Sequence, residues 1–114
     1  MVNEEIYKLL IELAKNKKFI TYGKLAEKFN IDLRNVYERE HKFDEILDEI
    51  NKHEYDNKRP LLTVIITNKD TKMPGKGFFR VAKEYGLKKE GQTDEMFFIE
   101  EVNRVFDYWR DKTI

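Results

Sequence analysis

Apolar residues recur at helical spacing along much of this chain, and each such stretch follows a residue suited to capping a helix. Asn3 precedes Glu4 and Glu5. Ile6, Leu9, Leu10 and Leu13 then share one face, and Lys15, Lys17 and Lys18 sit at the far end, where cations suit the helix dipole. A short extended step at Phe19 and Ile20 leads to Thr21, a second cap. Tyr22, Leu25, Ala26 and Phe29 form the next apolar face, and Asn30 closes it. The longest helical region runs from Asp32, its candidate cap, to Asn57. It carries one apolar cluster at Leu33, Val36 and Tyr37 and a cleaner one at Phe43, Ile46, Leu47 and Ile50. The charged gap from Glu38 to Lys42 predicts two helices with a break near His41; one bent helix is the competing reading.

The texture changes at Pro60. Residues 61–67, LLTVIIT, are apolar and β-branched and read as a buried strand. Asn68 to Thr71 reads as a turn, and Met73, Pro74, Gly75, Lys76 and Gly77 interrupt any helix. A helix is expected to restart at Phe78 and to stop before Gly86, a candidate left-handed terminator. Thr93 caps the last helix, whose stripe is Phe98, Val102, Val105, Phe106 and Trp109. Met96, Phe97 and Ile99 widen that stripe beyond what one core contact needs, which suggests burial on two sides or a homodimer. The expected core holds Leu25, Phe29, Ile46, Leu47, Val64, Ile66, Phe106 and Trp109.

At 114 residues the chain is one domain, residues 1–114, and its eight Phe, six Tyr and one Trp supply a core despite 39% charged residues. The absence of Cys excludes a disulfide scaffold, a thiolate metal site and a Cys nucleophile. His41 and His53, the two histidines, lack the His-Glu-x-x-His spacing, so no metal site is expected. With no apolar run long enough to span a bilayer and no signal-peptide pattern, a cytoplasmic protein is expected. Net charge is zero but segregated. Residues 59–89 hold eight basic and two acidic groups, whereas residues 32–58 hold five basic and nine acidic.

The basic block includes Lys69, Lys72, Lys76 and Arg80 around Gly75 and Gly77, a turn suited to gripping phosphates. Gly-Lys-Gly lacks the spacing of a nucleotide-binding loop, so nucleotide hydrolysis is not expected. Arg34 and Asn35 are residue types that read base edges. Asp44, Glu45, Asp48 and Glu49 would repel a duplex and instead suit a basic partner.

The run Phe19-Ile-Thr-Tyr-Gly-Lys-Leu-Ala resembles the Val-Thr-Thr-Tyr-Gly-x-Ile-Ala opening of alkylguanine-DNA alkyltransferases and alkyltransferase-like proteins. Pro60-Leu-Leu-Thr-Val-Ile is similar to that family's Pro-Cys-His-Arg-Val-Val, and Pro74-Gly75 to its wing, so the resemblance covers residues 19–77. The run from Pro60 to Phe79 also resembles segments of prokaryotic and phage proteins. Leu61 stands in place of the family's nucleophilic Cys, Leu62 in place of its His and Thr63 in place of its Arg, which excludes alkyl transfer. What the resemblance implies is a scaffold: Tyr22 against the DNA backbone, and Gly23 where a phosphate approaches a helix start. The expected fold is thus α+β, a winged-helix-like core with three N-terminal helices, a small β-sheet or wing and a long C-terminal helix. The expected function is non-enzymatic and cofactor-free binding of nucleic acid, duplex DNA foremost. The alternative is a protein-interaction or inhibitor module, such as one of phage counter-defence, working through its acidic helices.

Overall fold

The computed structural model describes residues 2–112. Helix α1 spans Glu4–Lys15, capped by the Asn3 side chain, which accepts a hydrogen bond from the Ile6 amide. Strand β1, Ile20–Thr21, runs into helix α2, Tyr22–Lys28, where Thr21 accepts from the Lys24 amide. Asn30 closes this unit in a left-handed conformation, φ 57°.

The region after Asp32 departs from expectation in two ways. Its cap is Asn35, whose Oδ1 accepts from the Glu38 amide; Asp32 instead holds the preceding turn by accepting from the Arg34 amide. The charged gap does not break the helix. Helix α3, Val36–Glu38, continues through a π-helical segment, Arg39–Asp44, into helix α4, Glu45–Asp56. A π-turn holds more residues than an α-turn and so re-phases the faces on either side of it. Phe43 thereby joins the core row of Leu47 and Ile50, while Val36 and Tyr37 are left 55% and 67% exposed.

The 61–67 run is buried throughout but is not a strand over most of its length. Leu62–Ile65 form a 3₁₀-helix, and only Ile66–Thr67 form strand β2. β1 and β2 pair in parallel, Ile20 opposite Ile66 and Thr21 opposite Thr67. A short apolar run fits a strand or a buried helical turn equally well. Here the strand available to pair with has two residues, and α1, α4 and α6 pack around the remainder. The backbone is satisfied locally, as where Val64 donates to the Leu61 carbonyl.

Helix α5, Lys76–Glu84, begins two residues earlier than expected, directly after Gly75. Beyond Glu84 the chain turns away at Gly86, φ 74°, with Leu87 donating back to the Ala82 carbonyl. Helix α6, Asp94–Trp109, is capped by Thr93. Phe97, Val102, Val105 and Trp109 are buried, and Phe98 and Phe106 are half-buried against Phe19. Because Phe97 is buried within one chain, the breadth of the apolar face is met largely by intramolecular packing; Met96 and Ile99 remain exposed. Of the expected core, Leu25, Leu47, Val64, Ile66 and Trp109 are buried, whereas Phe29, Ile46 and Phe106 lie half-buried at its edge. The architecture is mixed: a helical assembly around one buried run, with a two-stranded parallel sheet. Among the described residues no helix is long and apolar enough to cross a membrane.

Candidate nucleic-acid interface

Two helix starts that are distant in sequence are joined by one side chain. Tyr22, the first residue of α2, accepts a hydrogen bond at its hydroxyl from the Gly75 amide, 2.9 Å away. Its ring meets Phe43 edge-on, and burial raises its hydroxyl pKa above the ordinary tyrosine value. Neither α2 nor α5 carries an acidic residue in its first turn, and no side chain caps α5. Gly23 and Gly77 both face open space, where even a Cβ would touch nothing.

The turn leading to Gly75 is closed by Asn68 donating to the Met73 carbonyl and Lys72 donating to the Asn68 carbonyl. Lys69 and Lys72 are exposed on it, Lys72 with a left-handed φ of 59°, and Lys76 is exposed at the start of α5. The Tyr22–Gly75 hydrogen bond and this turn thus link the segments that carry Tyr22, Gly23, Lys69, Lys72 and Lys76.

Of the other expected contacts, Arg80 lines the same cleft as Tyr22 and Gly75, whereas Arg34 and Asn35 belong to the turn before α3. Arg34 has a side chain 94% exposed, with Nε 3.2 Å from the Asp32 carboxylate. The Arg34 amide first, and then this side-chain contact, hold Asp32 below the usual carboxylate range. Asn35 spends its side-chain oxygen on capping. Arg80 points into an acidic setting: it pairs with Glu84 at 3.8 Å and acts electrostatically on Asp44 and Asp48.

The four carboxylates of α4 and its approach do not form one face. Residues four apart stack on a helix, and adjacent ones diverge by about 100°. Asp44 and Asp48 line one cleft, while Glu45 lies 3.6 Å from His41 and Glu49 faces a different hollow beside Lys52 and His53. Among the described residues no group of three or more His, Asp or Glu could hold a metal ion.

The cleft beside Asp44 and Asp48 encloses about 430 Å³. Tyr22, Phe43 and Phe78 give it aromatic walls, and Asn51 and Thr63 form its buried polar floor. Thr63 donates from Oγ1 to Asn51 Oδ1 at 2.9 Å. Leu61 and Leu62 lie in the core instead, fully buried. Sequence reasoning did not single out Asn51. Its signal was present, since Phe43, Leu47 and Asn51 fall at four-residue intervals, which puts an amide in an apolar row. Glu54 extends the Ile50 row in the same way, and it is buried beside Tyr7 and Arg59.

Comparison with protein-family models, curated proteins and solved structures gives no match.

Proposed function

We propose that this protein is a non-enzymatic nucleic-acid-binding module, with a winged-helix-like core in which the 68–77 turn serves as the wing. The observation that carries this reading is the Tyr22–Gly75 hydrogen bond. It fastens the Thr-Tyr-Gly helix start to the Lys- and Gly-rich turn, which carries the exposed Lys69, Lys72 and Lys76. The three segments of the sequence resemblance support it further: Ile20–Thr21 pairs with Ile66–Thr67, and Tyr22 contacts Gly75. Phosphate oxygens suit this turn, because its lysines add charge and the start of α5 has no side-chain cap. Duplex DNA is the preferred partner, its phosphates met by Lys69, Lys72 and Lys76.

Titration of a fluorescent duplex at low and moderate salt tests the reading. Three phosphate contacts from Lys69, Lys72 and Lys76 give a log–log salt slope of about −3. Absence of binding to duplex, single-stranded DNA and RNA at about 50 mM salt overturns it.

A further inference from the structure

Hydrogen-bond donors without acceptors collect around the cleft. Asn51 lines it and is 2% exposed. Its Oδ1 accepts from Thr63, and its Nδ2 has no acceptor among the described residues. Among those residues only Trp109 Nε1 is both enclosed and unpartnered, so the Asn51 Nδ2 opens on the cleft. The Tyr22 hydroxyl oxygen accepts from the Gly75 amide, which leaves its own hydrogen without an acceptor there. Helix α5, nine residues long, starts at Lys76 between two glycines that line the cleft, and no side chain caps it. Asp44 lies close enough to act on the Tyr22 hydroxyl, and Asp48 stands one helical turn further on. Among the described residues neither aspartate forms an ion pair or hydrogen bond. Arg39 and Arg80 line the cleft as well, so its walls carry two charges of each sign.

We infer that this cleft binds a free α-amino acid, its carboxylate held by the donors of Asn51, Tyr22 and the start of α5, and its ammonium group by Asp44 and Asp48. Walls that carry both signs equally oppose a ligand of either net charge and suit one that carries both. A carboxylate offers acceptors only, and the Asn51 amide, the Tyr22 hydroxyl and the free N–H groups of an uncapped helix start offer it donors. An ammonium group offers donors only, and the two aspartates are acceptors without partners. Burial holds both aspartates above their ordinary pKa, and a cation beside them offsets that cost. The enclosed volume of about 430 Å³ falls among small-molecule pockets, which run from roughly 300 to 1,000 Å³. A residue inside a peptide chain has neither charged group and does not fit. The inference does not rest on nucleic-acid binding, and its test contains no nucleic acid, so either reading can fail alone.

The test titrates isotope-labelled protein with glycine, L-alanine, L-serine and L-glutamine, each up to about 10 mM, enough to fill a site of millimolar affinity. Binding is followed through the Asn51 side-chain amide resonance. At least one amino acid is expected to shift that resonance saturably. Its carboxamide and its N-acetyl derivative, each lacking one of the two charges, are expected to leave the resonance in place. Asp44→Asn with Asp48→Asn is expected to weaken binding by about tenfold or more, through loss of charge-assisted hydrogen bonds. Both positions are exposed, so the fold should be retained, as checked by the unchanged dispersion of the remaining resonances. Glu95→Gln, on the first turn of α6, should leave binding intact. A resonance unmoved by all four amino acids, derivatives that bind as tightly as their parent, or full binding by the double variant would each overturn the inference.

Discussion

Glu101 on α6 accepts a hydrogen bond from the backbone amide of Leu61 at 2.8 Å, and both residues are buried. The carboxylate's second oxygen accepts from Arg104 Nε at 2.7 Å, so one acid ties the central run to the last helix and reaches the surface. Glu101→Ala leaves the Leu61 amide without a partner in the core and should cost about 1–3 kcal/mol. Glu101→Gln, which keeps an acceptor, should cost less. Urea denaturation of the two variants side by side checks the order; equal losses would mean that the hydrogen bond is not the cause.

Arg59 meets Glu54 through paired hydrogen bonds, while Tyr7 donates to the same carboxylate. Arg59 also lies over the Trp109 ring, 5.9 Å from its centre. Removing one partner strands a buried charge. Arg59→Ala should therefore destabilise by about 3–5 kcal/mol. Exchanging both partners for apolar residues, Arg59→Met with Glu54→Leu, should recover much of that loss. Chemical denaturation of the single and double variants reports both numbers.

The Tyr7 hydroxyl is pushed far above the ordinary tyrosine value, first by burial and then by its bond to the Glu54 carboxylate. A raised folded-state pKa favours the neutral phenol in the fold. Its contribution is complete below the unfolded value of about 10 and is lost as pH rises from there toward the folded value. Tyr22 and Tyr85 are raised as well and act in the same direction. Stability should fall between about pH 10 and 12, and Tyr7→Phe should make that fall shallower. Thermal melts across this range provide the measurement.

Nucleic-acid affinity should respond oppositely to the two kinds of charge. Lys72→Ala with Lys76→Ala should weaken all duplex sequences alike and flatten the salt slope by up to about two. Asp44→Asn with Asp48→Asn should strengthen binding if a duplex passes over the cleft mouth and leave it unchanged if it does not. Fluorescence anisotropy at two salt concentrations separates these cases.

Much of the helix pattern was legible because its signals are local. Asn3, Thr21 and Thr93 cap where expected, and Gly86 terminates where expected. The 61–67 run was misread because its burial is a tertiary fact: surrounding helices, not strand partners, enclose it. The break near His41 was misread because a wholly charged stretch breaks an apolar stripe without breaking a backbone. At the candidate site, exposed lysines on a Gly-rich turn could be named from sequence. The split of Asp44 and Asp48 from Glu45 and Glu49 follows from helix geometry alone. The Asn51–Thr63 pair, twelve residues apart, needed the fold.

The π-helical segment at Arg39–Asp44 has a consequence for how this chain tolerates change. A surplus residue inside an otherwise continuous helix acts as a rotary adjustment between the part anchored in the core and the part that projects. Loss of one residue there would leave α4 seated by Phe43, Leu47 and Ile50. The turn bearing Arg34, Val36 and Tyr37 would swing by about 100° around the axis. Length variation, which elsewhere in a helix scrambles the core, would here re-aim an exposed tip while the body of the protein stays folded.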